Sequence, residues 1–161
     1  MNRSIAVIAS AIVLGQGSLA AAEPERRTER VEFAKGAASK VIQGQLKGRE
    51  YVDYQLRAGA GQTLSVTLKP TNASNYFNVS PPGSELAMFV GSSSGGEFTG
   101  MLPADGDYTV RVYLMRSAAR RNETSNYTLT IGVTGKPLAA LPASADALIP
   151  GTPYHASATV P

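Results

Sequence analysis

The chain has 161 residues, a formal net charge of +3, no Cys, no Trp and a single His. At one domain per roughly 100–200 residues, that length allows one domain with short appendages. Without Cys there is no disulfide framework and no thiolate zinc site, and one His cannot supply a metal cluster or a His pair for acid–base work, so most enzyme chemistries, metals and cofactors are not expected.

Charged residues make up 17 % of the chain, below the usual ~25 %, while hydrophobic residues at 43 % suffice for a core. Residues 1–22 read as a secretory signal peptide: Arg3 precedes an apolar run from Ile5 to Leu14, and small residues surround Ala20-Ala21-Ala22. The run is about half of the ~20 residues that span a bilayer, so no membrane association is expected once the peptide is removed. Cleavage after Ala22 or Ala20 leaves fourteen Lys and Arg against twelve acids, a net +2 too small to imply a nucleic acid. Export without any Cys suits a bacterial periplasmic or secreted protein. Beyond residue 22, four Asn-x-Ser/Thr sequons at Asn72, Asn78, Asn122 and Asn126 are what chance provides in so polar a chain.

A charged lead, 23–30, precedes a body, 31–136, in which apolar residues alternate with period two. Val52, Tyr54 and Leu56 alternate with Asp53, Gln55 and Arg57; Gly59-Ala60-Gly61 turns the chain; Leu64, Val66 and Leu68 then alternate with Thr63, Ser65 and Thr67. This reads as a hairpin with one buried and one solvated face. A third strand covers Asp107–Met115, entered through Asp105-Gly106, and a fourth covers Asn126–Val133 with Tyr127, Leu129, Ile131 and Val133 inward. Weaker strands are expected at Val31–Ala34, Val41–Leu46, Tyr76–Val79, Ala87–Val90 and Phe98–Leu102, and Gly91–Gly96, all Gly or Ser, as a loop. The fold class is therefore all-β, an antiparallel β-sandwich of about eight short strands. Residues 137–161 hold five Pro and seven Ala with no Lys or Arg, and are expected to be a disordered tail; His155 within it is read as a solvated side chain.

The concentrated feature is Arg116-Ser-Ala-Ala-Arg120-Arg121-Asn122-Glu123, between the third and fourth strands. Ser-Ala-Ala favours a helical turn, in which Arg116 and Arg120 project from one face and Arg121 points about 100° away. Two guanidiniums presented together match a carboxylate or phosphate bidentately, so the partner should be anionic. The plainer alternative is that these arginines solvate a loop or pair with Glu123, Glu85 and Glu97, for about 0–1 kcal/mol each. Tyr113 and Tyr127 could serve as stacking platforms, but export and low net charge oppose a nucleic-acid role. Tyr108 and Tyr127 alternate with core residues and are read as packing with a hydrogen-bonded hydroxyl. Asp53, Asp105 and Asp107 have no evident partner that would hold one protonated, so no catalytic set assembles and an enzyme is not expected.

Taken together, Val31-Glu-Phe-Ala-Lys-Gly36, Gly44-x3-Gly48-x5-Tyr54 leading to Ala60-Gly61-Gln62, Leu102-Pro-Ala-Asp-Gly-Asp-Tyr108, and the run Arg111–Asn122 with Tyr127 resemble the periplasmic inhibitors of g-type lysozyme. The first three stretches are shared with the broader pre-peptidase C-terminal type of β-sandwich; the last discriminates. The resemblance implies a protein partner, g-type lysozyme, whose cleft is blocked by a binding edge to which two arginines contribute, matching Arg116 and Arg120. Arg49 stands where the resemblance implies an aromatic, with Tyr51 two positions on; these two and Tyr113 complete the expected partner-binding set. The alternative from another class is a non-catalytic polymer-binding or structural sandwich module.

Overall fold

The structure, a computed structural model, describes residues 24–138. The expected signal peptide and most of the Pro/Ala tail, His155 included, lie outside the described residues. Nine strands and two short helices make two facing sheets: β1 (Arg26–Arg30), β2 (Ser39–Lys47), β3 (Tyr51–Ala58), β4 (Thr63–Pro70), β5 (Asn75–Ser80), β6 (Phe89–Val90), α1 (Gly91–Ser94), β7 (Glu97–Met101), β8 (Gly106–Leu114), α2 (Arg116–Arg120) and β9 (Thr124–Thr134). The first sheet runs in the order β1-β3-β8-β5-β6 and the second β2-β9-β4-β7. All pairs are antiparallel except β1–β3, which is parallel.

The alternation read from the sequence sets which side chains face inward. Val52, Tyr54, Leu56, Val110 and Val112 from one sheet and Leu64, Val66, Leu129 and Ile131 from the other are buried in one core. The Tyr54 and Tyr127 hydroxyls meet there at 2.8 Å, joining β3 to β9 across the sheets. Burial is the main reason both phenols are pushed above their ordinary value. Tyr108 donates its hydroxyl to the Ala104 carbonyl at 2.7 Å and accepts from the Ala104 amide.

Several expectations are corrected. The stretches expected to form a hairpin, β3 and β4, lie in different sheets and oppose each other across the core, because β3 takes β8 and β1 as neighbours while β4 takes β9 and β7. Alternation requires only that each apolar face reach the core, and a strand on either side of that core satisfies it. In this chain every connection except β5–β6 changes sheet. The strand expected at Val31–Ala34 is displaced into the charged lead: β1 is Arg-Arg-Thr-Glu-Arg, exposed at every position and without apolar periodicity. It is held by pairing with Tyr51–Gln55, by Arg26 on Asp53 at 3.0 Å, by Arg30 on Asp107 at 3.0 Å, and by Arg27, which donates to the Gln45 carbonyl of the other sheet at 2.7 Å. Its charges also suit an edge strand, since they discourage further pairing. The expected Ala87–Val90 strand shortens to β6, and the Gly/Ser loop contains the single helical turn α1. Gly91 starts that turn because a Cβ there would collide with the Phe77 backbone. At the other boundary, Leu138 donates its amide to the Ala60 carbonyl at 2.7 Å, so the packed chain runs past Lys136.

Candidate functional site

The β8–β9 connection folds as the sequence predicted. Helix α2 spans Arg116–Arg120; the Ala119 amide bonds the Met115 carbonyl at 2.9 Å, and the buried Ala118 methyl fastens the turn to the core. The turn stops at Asn122, whose φ of 55° lies in the left-handed region that Asn tolerates. Neighbouring connections brace it. The Met115 amide bonds the Ser74 carbonyl at 2.8 Å, and the Gly48 amide bonds the Glu123 carbonyl at 2.8 Å. Gly48, with φ 60°, is seated against Asn122, where a Cβ would approach the side-chain oxygen to 2.5 Å. The β2–β3 turn that carries Arg49 is thereby held beside α2.

Arg121 leaves the shared face: its Nε and Nη2 both reach Glu123 Oε1 at 2.6 Å. Glu123 also accepts from Asn72 Nδ2 at 2.8 Å, and that bond first, then Arg121, holds its carboxyl below the usual carboxylate range. Glu50 accepts from the Lys47 amide at 3.0 Å, and Glu25 lines a shallow groove with it, Arg49 and Arg120. Among the described residues no carboxylate lies within ion-pair distance of Arg49, Arg116 or Arg120. The plainer alternative is met in part: Arg121 pairs with Glu123, while Arg116 and Arg120 are exposed and pair with none of Glu123, Glu85 and Glu97.

Arg49, Tyr51, Tyr113, Arg116 and Arg120, five residues from two stretches of sequence, line one open groove of about 710 Å³. Tyr51 and Tyr113 are cross-strand neighbours on β3 and β8 and face outward, half-buried, to form its floor. Such a surface can receive an anionic, partly apolar protrusion or rim: guanidinium forks supply fixed donors and the phenol rings supply area.

Two residues of this face stand outside the partner-binding set expected from the sequence. Arg111 lines the same groove, lies over the Tyr51 ring with its guanidinium carbon 4.6 Å from the centroid, and grips Asp53 through Nε (2.6 Å) and Nη2 (2.9 Å). Asp53 is therefore not a solvated outward residue without a partner but wholly buried beneath Arg111 and Arg26. Asp105 accepts from the Ala60 amide, and Asp107 pairs with Arg30 and Arg57, so the partners of these three acids are amide and guanidinium donors. The signal for Asp53 and Arg111 was their outward position in the alternation; what was missing was the register that sets them directly opposite one another. Among the described residues no group of three or more His, Cys, Asp or Glu side chains is placed to hold a metal ion.

No family model matches the chain. The chain is 32 % identical over 108 residues to the inhibitor of g-type lysozyme from Escherichia coli K12, across 64 % of this chain and 78 % of that protein. Among solved structures it is similar to Aeromonas hydrophila PliG, a periplasmic inhibitor of g-type lysozyme, at 36 % identity and a TM-score of 0.63, covering 68 % of this chain and 98 % of that one. It is also similar to Salmonella Typhimurium PliG, likewise a periplasmic inhibitor of g-type lysozyme, at 28 % identity and a TM-score of 0.55, covering 67 % and 98 % of the two chains. With the sandwich, the discriminating Arg111–Asn122 run and this identity across most of a curated relative, the chain belongs to the family of g-type lysozyme inhibitors.

Proposed function

We propose that this protein inhibits g-type lysozyme in the bacterial periplasm by seating the Arg116 and Arg120 guanidiniums against the acidic active-site cleft, with Arg49, Tyr51 and Tyr113 completing the contact. The observation that carries the reading is the convergence of these residues on one groove, with Arg116 and Arg120 left without an ion partner among the described residues. A muramidase must keep carboxyl groups in its cleft to protonate a glycosidic oxygen and to activate water or stabilise charge. Fixed guanidiniums are complementary to that arrangement itself, so the inhibitor needs no chemistry of its own. Exported to the periplasm, the protein would shield peptidoglycan from a muramidase arriving from outside.

The test is a lysis assay with the purified protein. It is expected to slow g-type lysozyme on cell walls at a near-stoichiometric dose. Co-sedimentation with peptidoglycan, with the lysis rate unchanged, would instead identify a polymer-binding module and end the inhibitor reading.

A further inference from the structure

We propose that Arg111 is a fourth binding arginine of this groove and that the buried Asp53 is its positioning residue, so that the contact surface runs from α2 onto the outer face of the β1-β3-β8-β5-β6 sheet. The inference rests on the lysozyme reading above and adds to it the acidic rim of the cleft as the surface that Arg111 meets.

Arg111 projects outward from the middle strand of its sheet, with Asp53 opposite it on β3 and Asn78 opposite on β5. Its grip on Asp53 uses Nε and one Nη2 hydrogen, which leaves three of the five guanidinium donors free for a partner. The side chain remains 45 % exposed and lines both the groove beside α2 and an adjoining one of about 390 Å³ that continues over the sheet face past Asn78 and Glu85. Arg111 is thus the residue common to both grooves.

The charge arithmetic favours an anionic partner. Over the sheet face Asp53 and Glu85 balance Arg26 and Arg111, but in the groove beside α2 Arg111 joins Arg49, Arg116 and Arg120 against the single carboxylate of Glu50, so the positive excess lies on that side. The design of the Asp53–Arg111 pair also favours positioning over stability, because a buried ion pair contributes little that an apolar cross-strand pair would not. What the pair does provide is a fixed guanidinium: locked on Asp53 and laid over Tyr51, Arg111 loses its rotamer freedom on folding rather than on binding.

The experiment measures association and dissociation rates of the full chain with a g-type lysozyme as a function of salt, together with the melting temperature of each variant. Arg111→Gln should speed dissociation by about tenfold or more and flatten the salt dependence of association. Arg111→Lys should restore the association rate but not the slow dissociation, since it keeps the charge and loses the fork. Asp53→Asn frees Arg111 while removing a negative charge, so dissociation should quicken while association holds or rises. A merely structural role would lower the fraction of active protein and leave both rates alone. The charge control Lys40→Gln, on the opposite sheet, should change neither rate. If Arg111→Gln stays within about twofold of wild type while Arg116→Ala is weakened, Arg111 is not a binding residue and the inhibitor reading stands. If Arg111→Gln weakens binding and Asp53→Asn does not, Asp53 has no positioning role; should Asp53→Asn fail to fold, Arg111→Lys decides that point, with slow dissociation overturning it. If the wild-type chain does not bind lysozyme, the inhibitor reading itself fails.

Discussion

At the end of the sandwich formed by the β3–β4 and β7–β8 connections, polar groups are matched within the chain, whereas at the opposite end, around α2, guanidiniums stand open. At the first end Gly59 donates to Gln62 Oε1 at 2.8 Å, Ala60 to Asp105 Oδ1 at 2.7 Å, and Asp107 takes both Arg30 (3.0 Å) and Arg57 (3.7 Å). At the second end Glu123 is engaged by Arg121 and Asn72 and Glu50 by the Lys47 amide, and although Glu25 and Glu50 line grooves with these arginines, no carboxylate among the described residues comes within ion-pair distance of Arg49, Arg116 or Arg120. Both ends carry arginines, so composition does not distinguish them. The difference lies in whether a carboxylate stands within ion-pair distance, and on the reading proposed above the arginines without one are left to meet an anion from outside.

The largest expected effect breaks this asymmetry directly. Arg116→Ala and Arg120→Ala should each weaken lysozyme binding by about 2–5 kcal/mol, on the order of 30- to several-thousand-fold. Their unfolding free energies should stay within about ±0.5 kcal/mol of wild type. Arg57→Ala, at the matched end, should leave inhibition untouched; equal losses at both ends, in titrations against a fixed lysozyme concentration, would show that net charge rather than placement matters.

Strand β1 serves both ends, since it brings Arg26 to Asp53 and Arg30 to Asp107. A chain beginning at Val31 should therefore unfold at lower denaturant, by about 1.5–3 kcal/mol, the range for hydrogen bonds to charged groups. An unchanged denaturation midpoint would mean that β1 is no more than a decoration of the β3 edge.

Between the ends, the Tyr54–Tyr127 hydroxyl contact tests the shared interior. Either tyrosine replaced by Phe leaves a buried hydroxyl without its partner and should cost about 1–3 kcal/mol, while the double replacement should cost clearly less than the sum. Neither change should alter the lysozyme rate constants. An additive double-mutant cycle would show that the two hydroxyls are uncoupled.

The smallest effect sharpens the comparison at the α2 end. Glu123 is held below its ordinary value of 4.5, so the stability it contributes is complete above that pH and is lost as pH falls through its lower folded-state value. Melting temperatures taken between about pH 3 and 6 should therefore decline less steeply in Glu123→Gln than in wild type. Identical slopes would mean that Glu123 does not hold the loop through its charge.

Face assignment was legible in the sequence because a strand repeats every two residues: Val52, Tyr54, Leu56 and Leu129, Ile131 announce their burial locally. The α2 turn was legible for the same reason, being built from consecutive residues whose spacing puts Arg116 and Arg120 on one side. Strand β1 was not, because its residues contribute to no apolar face and its stability comes from neighbours that lie far along the chain. The β3–β4 hairpin was misread because alternation specifies the buried face of a strand but not its neighbour, and here almost every connection changes sheet. The sequence by itself thus determined the all-β class, the buried residues and the paired arginines of α2, all properties of short windows. Only the tertiary structure decided that Arg49, Tyr51, Tyr113 and α2 share a groove, and that Asp53 lies buried beneath Arg111. Those depend on strand register and sheet order, which are set by long-range pairing over the whole core rather than by any local pattern.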